Sequence, residues 1–201
     1  MKDNIYIYGA SGHGKVVLDC LNALKIQVSG FIDDDMNKEK FMGFSVVRSS
    51  ELNIKSSSLV FAIGDNIIRK SLAERYNCEI ITIINPSAIV SSDSLVGEGT
   101  VVFHSAIIQS SCTIGKHCII NTKVSVDHDC TIGDYVHISP GATLCGNVKV
   151  GDGSWIGAGA TVIQGINIGN DVVVGAGSVV IADVLDGTVV VGNPAKIIKK
   201  M

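Results

Sequence analysis

One periodicity constrains this chain more than any other feature. Every sixth residue from Ile84 to Val180 is Ile, Val or Leu, seventeen positions without a break. Those three types make up 61 of 201 residues, so composition alone does not produce such a run. A helix repeats every 3.6 residues and a half-buried strand every two, and neither keeps a strict six on one side. A six-residue unit fits one short strand and one corner, and three units close a triangular coil of eighteen. The longer period shows directly in Gly97, Gly115, Gly133, Gly151 and Gly169, each following its aliphatic, and Gly157 and Gly175 fill the same slot. These glycines are read as tight-turn residues. Two places before the aliphatic stands a small residue in most units, among them Thr100, Ala106, Cys112, Cys118, Cys130, Ala142, Ser154, Ala160 and Ser178. They are expected to fill the narrow interior beside a corner. Coils stack by strand pairing at about 4.8 Å, so residues eighteen apart lie one above the other. On this basis Trp155 lies over His137, and Cys112 and Cys130 stack as core fillers.

The N-terminal third lacks the repeat. Asn4 to Tyr8 reads as a strand, followed by Gly9-Ala10-Ser11-Gly12-His13-Gly14 and a helical spacing of apolar residues over Lys15 to Lys25. Further strands are expected at 28–32, 59–63 and 79–83, with a helix over 66–76. Alternating strands and helices imply a small Rossmann-like α/β domain with a parallel sheet. The glycine turn lacks the P-loop hydroxyl, because residue 16 is Val, and it is not a GxGxxG fingerprint. Its amides and the helix start can still hold a phosphate, and Asp33-Asp34-Asp35 stands where an acid accepts ribose hydroxyls. The competing reading is a packing turn and a solvated acidic loop. The domains are thus a cap at 1–83, a β-helix of about five coils at 84–186 and a tail at 187–201.

Composition narrows the function classes. A formal net charge of −3 with no basic block argues against nucleic acid. The longest uncharged apolar stretch, Val172 to Ala182, is 11 residues with two glycines, too short to span a membrane. The start of the chain does not read as a signal peptide, so a cytoplasmic protein is expected, and its six cysteines, which form no CxxC, as reduced thiols.

The segment NTKVSVDHDCTIGDYVHISPGATLCGNVKVGDGSWIGAGATVI, with IYGASGHGK before it and VGNPAK after it, resembles the sialic acid O-acetyltransferase and bacterial amino-sugar N-acetyltransferase family. The nearest likeness is to the UDP-4-amino-sugar N-acetyltransferases. The resemblance implies a left-handed parallel β-helix, acetyl-CoA as donor without a metal, a nucleotide sugar bound by the N-terminal domain, and a homotrimer with sites between neighbouring β-helices. It implies His128 as general base, Asp129 as its support (where the family more often carries Glu), and Gly146 as the amide facing the thioester oxygen. His137, Gly146, Ala158 and Ala176 correspond to coenzyme A contacts, and Gly12, His13, Gly14, Asp33, Asp34 and Gly64 to the nucleotide-sugar region.

Acetyl transfer from a thioester to an amine requires a base near working pH, a preorganised donor for the oxyanion, and the two reactants held in line. His128 and Gly146 are eighteen residues apart, which puts them on adjacent coils at one corner. His13 is either a substrate contact or a capping residue, and His104 and His117 are expected at the surface. Cys145 is a nucleophile to be excluded. A zinc enzyme of the same architecture would need three histidines, and none in the repeat are 36 apart. A sugar O-acetyltransferase and a non-catalytic nucleotide-sugar scaffold are the alternatives. Val101, Ile107 and Ile119 are expected to be exposed on flat faces and covered by trimer packing. Val191 to Lys196 is expected to close the last coil and begin a basic segment.

Overall fold

The computed structural model describes residues 4–52 and 56–200. Residues 1–3 and 53–55 of the expected cap, and Met201 of the expected tail, lie outside the described residues. From Ile83–Ile84 to Val179–Val180, two-residue strands recur every six residues. Up to Thr161–Val162 each pairs in parallel with the strand eighteen residues on, as in Val102 with Ile120, Ile108 with Val126 and Ile114 with Ile132. Three sheets result. Face one runs from Ile83–Ile84 through His137–Ile138 and Trp155–Ile156 to Val173–Val174, face two from Ile89–Val90 to Val179–Val180, and face three from Leu95–Val96 to Asn167–Ile168. From Val102 to Val180 the sixth-residue aliphatics are buried in one core, with small residues such as Ala106, Cys112 and Ala142 beside them, whereas Ile84 at the open end is exposed. This is a parallel β-helix.

The corners depart from expectation. A left-handed backbone, φ between 52° and 74°, recurs every six residues from Gly99 to Gly177, and eight of these fourteen residues carry side chains. Each such residue costs about 1 kcal/mol. The cost is offset by amides donating to the coil below, as Asp129 N does to Ser110 O and Tyr135 N to Lys116 O. Gly97, Gly115, Gly133, Gly151 and Gly169 are not at these positions, so the turn reading for them is corrected: they are required by the coil above. A Cβ on Gly115 would lie 2.5 Å from the Gly133 carbonyl group and 2.5 Å from Asp134 Oδ1. The carboxylate occupies that space because it accepts the amide of the coil below, Lys116 N to Asp134 Oδ1 at 2.7 Å and Asp134 N to Asp152 Oδ1 at 2.8 Å. Gly115→Ala should therefore cost about 1–3 kcal/mol in chemical denaturation. An unchanged midpoint would show that the stack yields without loss.

Beyond Val180 the repeat shortens but the stack goes on. Val174 pairs in parallel with Val190, sixteen residues on, and Thr188–Gly192 folds back on Ala195–Lys200 as an antiparallel pair.

The cap is a sheet of β1 (Ile5–Tyr8), β2 (Gly30–Ile32), β3 (Lys40–Phe41), β4 (Phe44–Val47), β5 (Ser58–Phe61) and β6 (Glu79–Ile80), in the order β3-β4-β2-β1-β5-β6. All neighbours are parallel except the hairpin β3–β4, which periodicity did not reveal because its strands, two and four residues long, are too short to show one. Helix α1 (Gly12–Ala23) packs on one side and α2 (Asn66–Arg75) on the other. The apolar residues Val17, Leu18 and Leu21 of α1 share a core with Ile83, Val101, Phe103 and Ile119 of the β-helix. Val101 and Ile119 are thus buried by the chain's own cap, not left for a partner as expected, and Ile107, on face two, is half-buried. Only the tertiary packing of α1 decides which flat face is covered.

Candidate active site

The corner between faces two and three carries the first group of residues. Asp129 holds a left-handed position, φ 61°, which turns its carboxylate back toward the preceding side chain. His128 Nδ1 and Asp129 Oδ2 are 2.7 Å apart. A carboxylate only accepts, so Nδ1 carries the hydrogen and Nε2 keeps its lone pair. The bond from Asp129, and then the charge of Asp127, raise the His128 pKa above its ordinary value. The ring remains open to solvent, 60% exposed. On the coil above, a Cβ at Gly146 would lie 2.7 Å from His128 Cε1 and 2.8 Å from Nε2, so only glycine leaves room for this imidazole. Cys145 N donates to Val162 O at 3.0 Å and Asn147 N to His128 O at 2.9 Å. The Gly146 N–H between them has no acceptor among the described residues. An open cleft of about 520 Å³ joins Asp127, His128, Cys145, Gly146, Asn147 and Gln164. An imidazole and a residue with an uncommitted amide therefore line one cleft, groups of the kind that acyl transfer from a thioester requires.

The second group lies at the junction of cap and face one. Gly12, His13 and Gly14 form the first turn of α1 rather than a loop before it. Gly12 has open space where a side chain would be, whereas a Cβ on Gly14 would run into Gly9 O, so Gly14 serves packing. The His13 ring turns inward, edge-on to Phe103 at 5.2 Å and 6.4 Å from the His137 ring, with Nε2 buried and unpartnered. His137 is stacked under Trp155, rings 5.7 Å apart and 5° from parallel. Asn121 Nδ2 lies 3.1 Å from His137 Nε2, and His137 Nδ1 lies 3.2 Å from Gly64 O. The carbonyl requires Nδ1–H, so His137 is neutral, accepting from Asn121 and donating to Gly64. Burial first, then the nearby Arg69 charge, push the pKa values of His13 and His137 down to about 4.

Asp33 and Asp34 are tied within the cap. Asp33 accepts from Ala10 N at 3.0 Å and Lys38 Nζ at 2.7 Å, and Asp34 from Tyr8 OH at 2.7 Å and Ser49 N at 2.9 Å. Burial works to raise both pKa values, but these bonds outweigh it and hold both carboxyls below the ordinary value. Ala158 and Ala176 are exposed and stacked on the corner between faces one and two, where Gly177 N donates to Ala158 O at 2.8 Å. His128, Asp129 and Gly146 thus share one corner. His13, Gly64 and His137 share the cap junction on the opposite face, and the two alanines stand on a third edge.

Two residues at the junction gave no sequence signal. Arg69 lies within the polar helix α2 yet is 1% exposed. Its guanidinium donates to His117 O (2.7 Å), Tyr135 O (2.9 Å), Ile63 O (3.0 Å) and Asn66 Oδ1 (2.7 Å). Burial pushes its pKa down to about 10, which leaves it charged at neutral pH. His117 is not at the surface as expected. It is buried, stacked on Tyr135 with rings 5.2 Å apart, because the cap closes over this corner. His104 is half-exposed, with Nδ1 3.9 Å from Cys20 Sγ. The six cysteines are free. Among the described residues no three His, Cys, Asp or Glu side chains are placed to hold a metal ion, and no helix is long and apolar enough to cross a membrane.

Comparison with known proteins agrees with this two-part architecture. The model described as PglD N-terminal domain matches residues 4–76, and that for bacterial transferase hexapeptide (six repeats) matches 111–146 and 147–182. The UDP-N-acetylbacillosamine N-acetyltransferase of Bacillus subtilis (strain 168) is 43% identical over 109 residues, 49% of this chain and about half (50%) of that protein's length. The acetyltransferase domain of PglB from Neisseria gonorrhoeae FA1090, solved with acetyl coenzyme A, is 36% identical with a TM-score of 0.93 over 98% of this chain and 100% of that one. PerB from Caulobacter crescentus, solved with CoA and GDP-perosamine, is 37% identical with a TM-score of 0.93 over 99% of each chain. With its cap, its coils and the PglB and PerB structures matching 98% and 99% of its length, the chain belongs to the hexapeptide-repeat acetyltransferases that carry a PglD N-terminal domain.

Proposed function

We propose that this protein moves an acetyl group from acetyl-CoA to the amine of a nucleotide-linked amino sugar, a UDP-4-amino-4,6-dideoxy sugar first among the candidates. The observation that carries the reading is the corner where His128, fixed by Asp129, lies beneath the free amide of Gly146. Acetyl-CoA supplies the thioester. His128 Nε2 takes the proton from the sugar amine as its nitrogen bonds to the carbonyl carbon, and Asp129 holds the resulting imidazolium. The Gly146 N–H stabilises the oxyanion until the carbon–sulfur bond breaks, and the departing thiolate receives the proton from Nε2. No acyl-enzyme is required.

The nucleotide sugar belongs to the cap, whose elements lie on the face opposite His128. A complete site therefore calls for a second copy of the chain, and a homotrimer meets that need. Ile89 and Leu95, 64% and 66% exposed, are apolar surface that such packing would cover. The test is acetyl transfer with UDP-4-amino-4,6-dideoxy sugars, GDP-perosamine and sialic acid as acceptors, together with the mass in solution. Transfer to an amino sugar by a particle of three chains is expected. A stable, active monomer, or transfer to sialic acid alone, would overturn the reading.

A further inference from the structure

The stack ends in a hairpin whose last strand has no neighbour on its far side. Ala195–Lys200 is the outermost strand of face one and pairs only with Thr188–Gly192. Its sequence, AKIIKK, sets two isoleucines among three lysines. Ile198 is 63% exposed and Leu185, just before the hairpin, 70%, and Ile181 and Ile197 are exposed as well. Val180, Val184 and Val190 line a hollow of about 330 Å³ together with Ala195, Lys196 and Ile197, which brings these segments to one end of the β-helix. Lys196, Lys199 and Lys200 are exposed and pair with no carboxylate among the described residues. Two acids stand nearby, and Asp183 also lines the hollow. Asp183 accepts from Asn167 N at 2.8 Å and Nδ2 at 3.1 Å, and Asp186 from Asn170 N at 2.8 Å and Nδ2 at 3.2 Å, so both carboxylates are committed to the coil below. The end of the stack is thus apolar and basic, on a chain whose formal net charge is −3.

We infer that this end of the β-helix is a peripheral docking surface for an anionic lipid bilayer. The patch matches both layers of such an interface. Lys199 and Lys200 answer the phosphates of the headgroups, and Ile181, Leu185 and Ile198 suit the boundary between headgroup and acyl chain. The remainder of the molecule carries excess negative charge and is repelled by the same surface, so the patch also sets the orientation of docking. A second copy of the chain fits less well. A bare edge strand invites another strand, but with Ile197 opposite Ile198 in an antiparallel pair of these strands, Lys196 stands opposite Lys199. One patch of this size binds a membrane weakly. The side-by-side trimer proposed above would present three copies to one surface, and their affinities would compound.

Co-sedimentation of the full chain with lipid vesicles tests this. Phosphatidylcholine vesicles containing about one third phosphatidylglycerol should carry the protein down at low salt, pure phosphatidylcholine vesicles should not, and about 0.5 M NaCl should release it. These contrasts need no variant. Lys199→Glu combined with Lys200→Glu should weaken vesicle affinity about tenfold or more, and Leu185→Ser combined with Ile198→Ser should also weaken it severalfold. All four side chains are exposed, so the thermal midpoint and acetyl transfer without vesicles should stay as in the parent protein. No sedimentation with the mixed vesicles, equal sedimentation with both lipids, or binding that survives the charge reversal would overturn the inference. So would larger assemblies of the lipid-free protein that the lysine substitutions dissociate, since the patch would then be a contact between copies of the chain.

Discussion

His128→Ala should lower kcat/KM for acetyl transfer by about a hundredfold or more, with the thermal midpoint unchanged. The side chain is exposed and supports no core, so the loss falls on chemistry alone. Its pH profile carries the same information. The base must be neutral, and its pKa is raised above the ordinary 6.5 by the Asp129 bond and the Asp127 charge. Activity should therefore rise with pH through a value above 6.5. Asp129→Asn removes the stronger of the two causes, so the acid limb should move to lower pH while the maximal rate falls about tenfold, the imidazole having lost its orienting partner. Cys145→Ala should keep most activity. Steady-state kinetics across pH on the three variants would decide. Loss in Cys145→Ala with retention in His128→Ala would reverse the roles.

Arg69→Met should loosen the cap from the β-helix by about 3–5 kcal/mol. Among the described residues the guanidinium pairs with no carboxylate; its partners are the Asn66 side chain and the backbone carbonyls of Ile63, Gly64, His117 and Tyr135, which no apolar residue can satisfy. Each buried carbonyl left without a donor costs about 1–3 kcal/mol. Lys offers a point charge in place of the fork and should recover only part of the loss. Hydrogen exchange would show it as faster exchange in α1 and the cap strands, with the coils beyond Trp155 still protected. Cap protection unchanged from the parent protein would contradict this role. Acid should act at the same place. His13 and His137 resist protonation in the folded state down to about pH 4, whereas in the unfolded chain they titrate near 6.5. Stability is complete above about 6.5 and falls as pH drops toward 4, because the unfolded chain takes up protons that the folded one refuses. The charge of Arg69 beside both rings adds to the penalty.

The coils were legible because a stacked spiral repeats one steric demand. Each unit must send one aliphatic inward and keep the neighbouring interior position narrow, and seventeen successive units wrote that demand into the chain. The pairing of His128 with Gly146 was legible for the same reason, since eighteen residues bring any residue under its successor. What each glycine of the longer period does was not legible, because a turn and a close approach both demand glycine. Only the coil above, with Asp134 or Asp152 reaching into the space, separates the two.

The junction was the least legible part. Arg69 within a polar helix looks solvated, and Val101 and Ile119 on a flat strand look exposed, until α1 and α2 come down on face one. The sequence by itself determined the spiral, the stacking of Gly146 over His128, and the α/β character of the cap, all of them consequences of local spacing. The tertiary structure alone decided which face the cap covers, which histidines are buried and neutral, and that Trp155 stays exposed beside them. Those outcomes depend on contacts between segments distant along the chain, and no period within either segment records them.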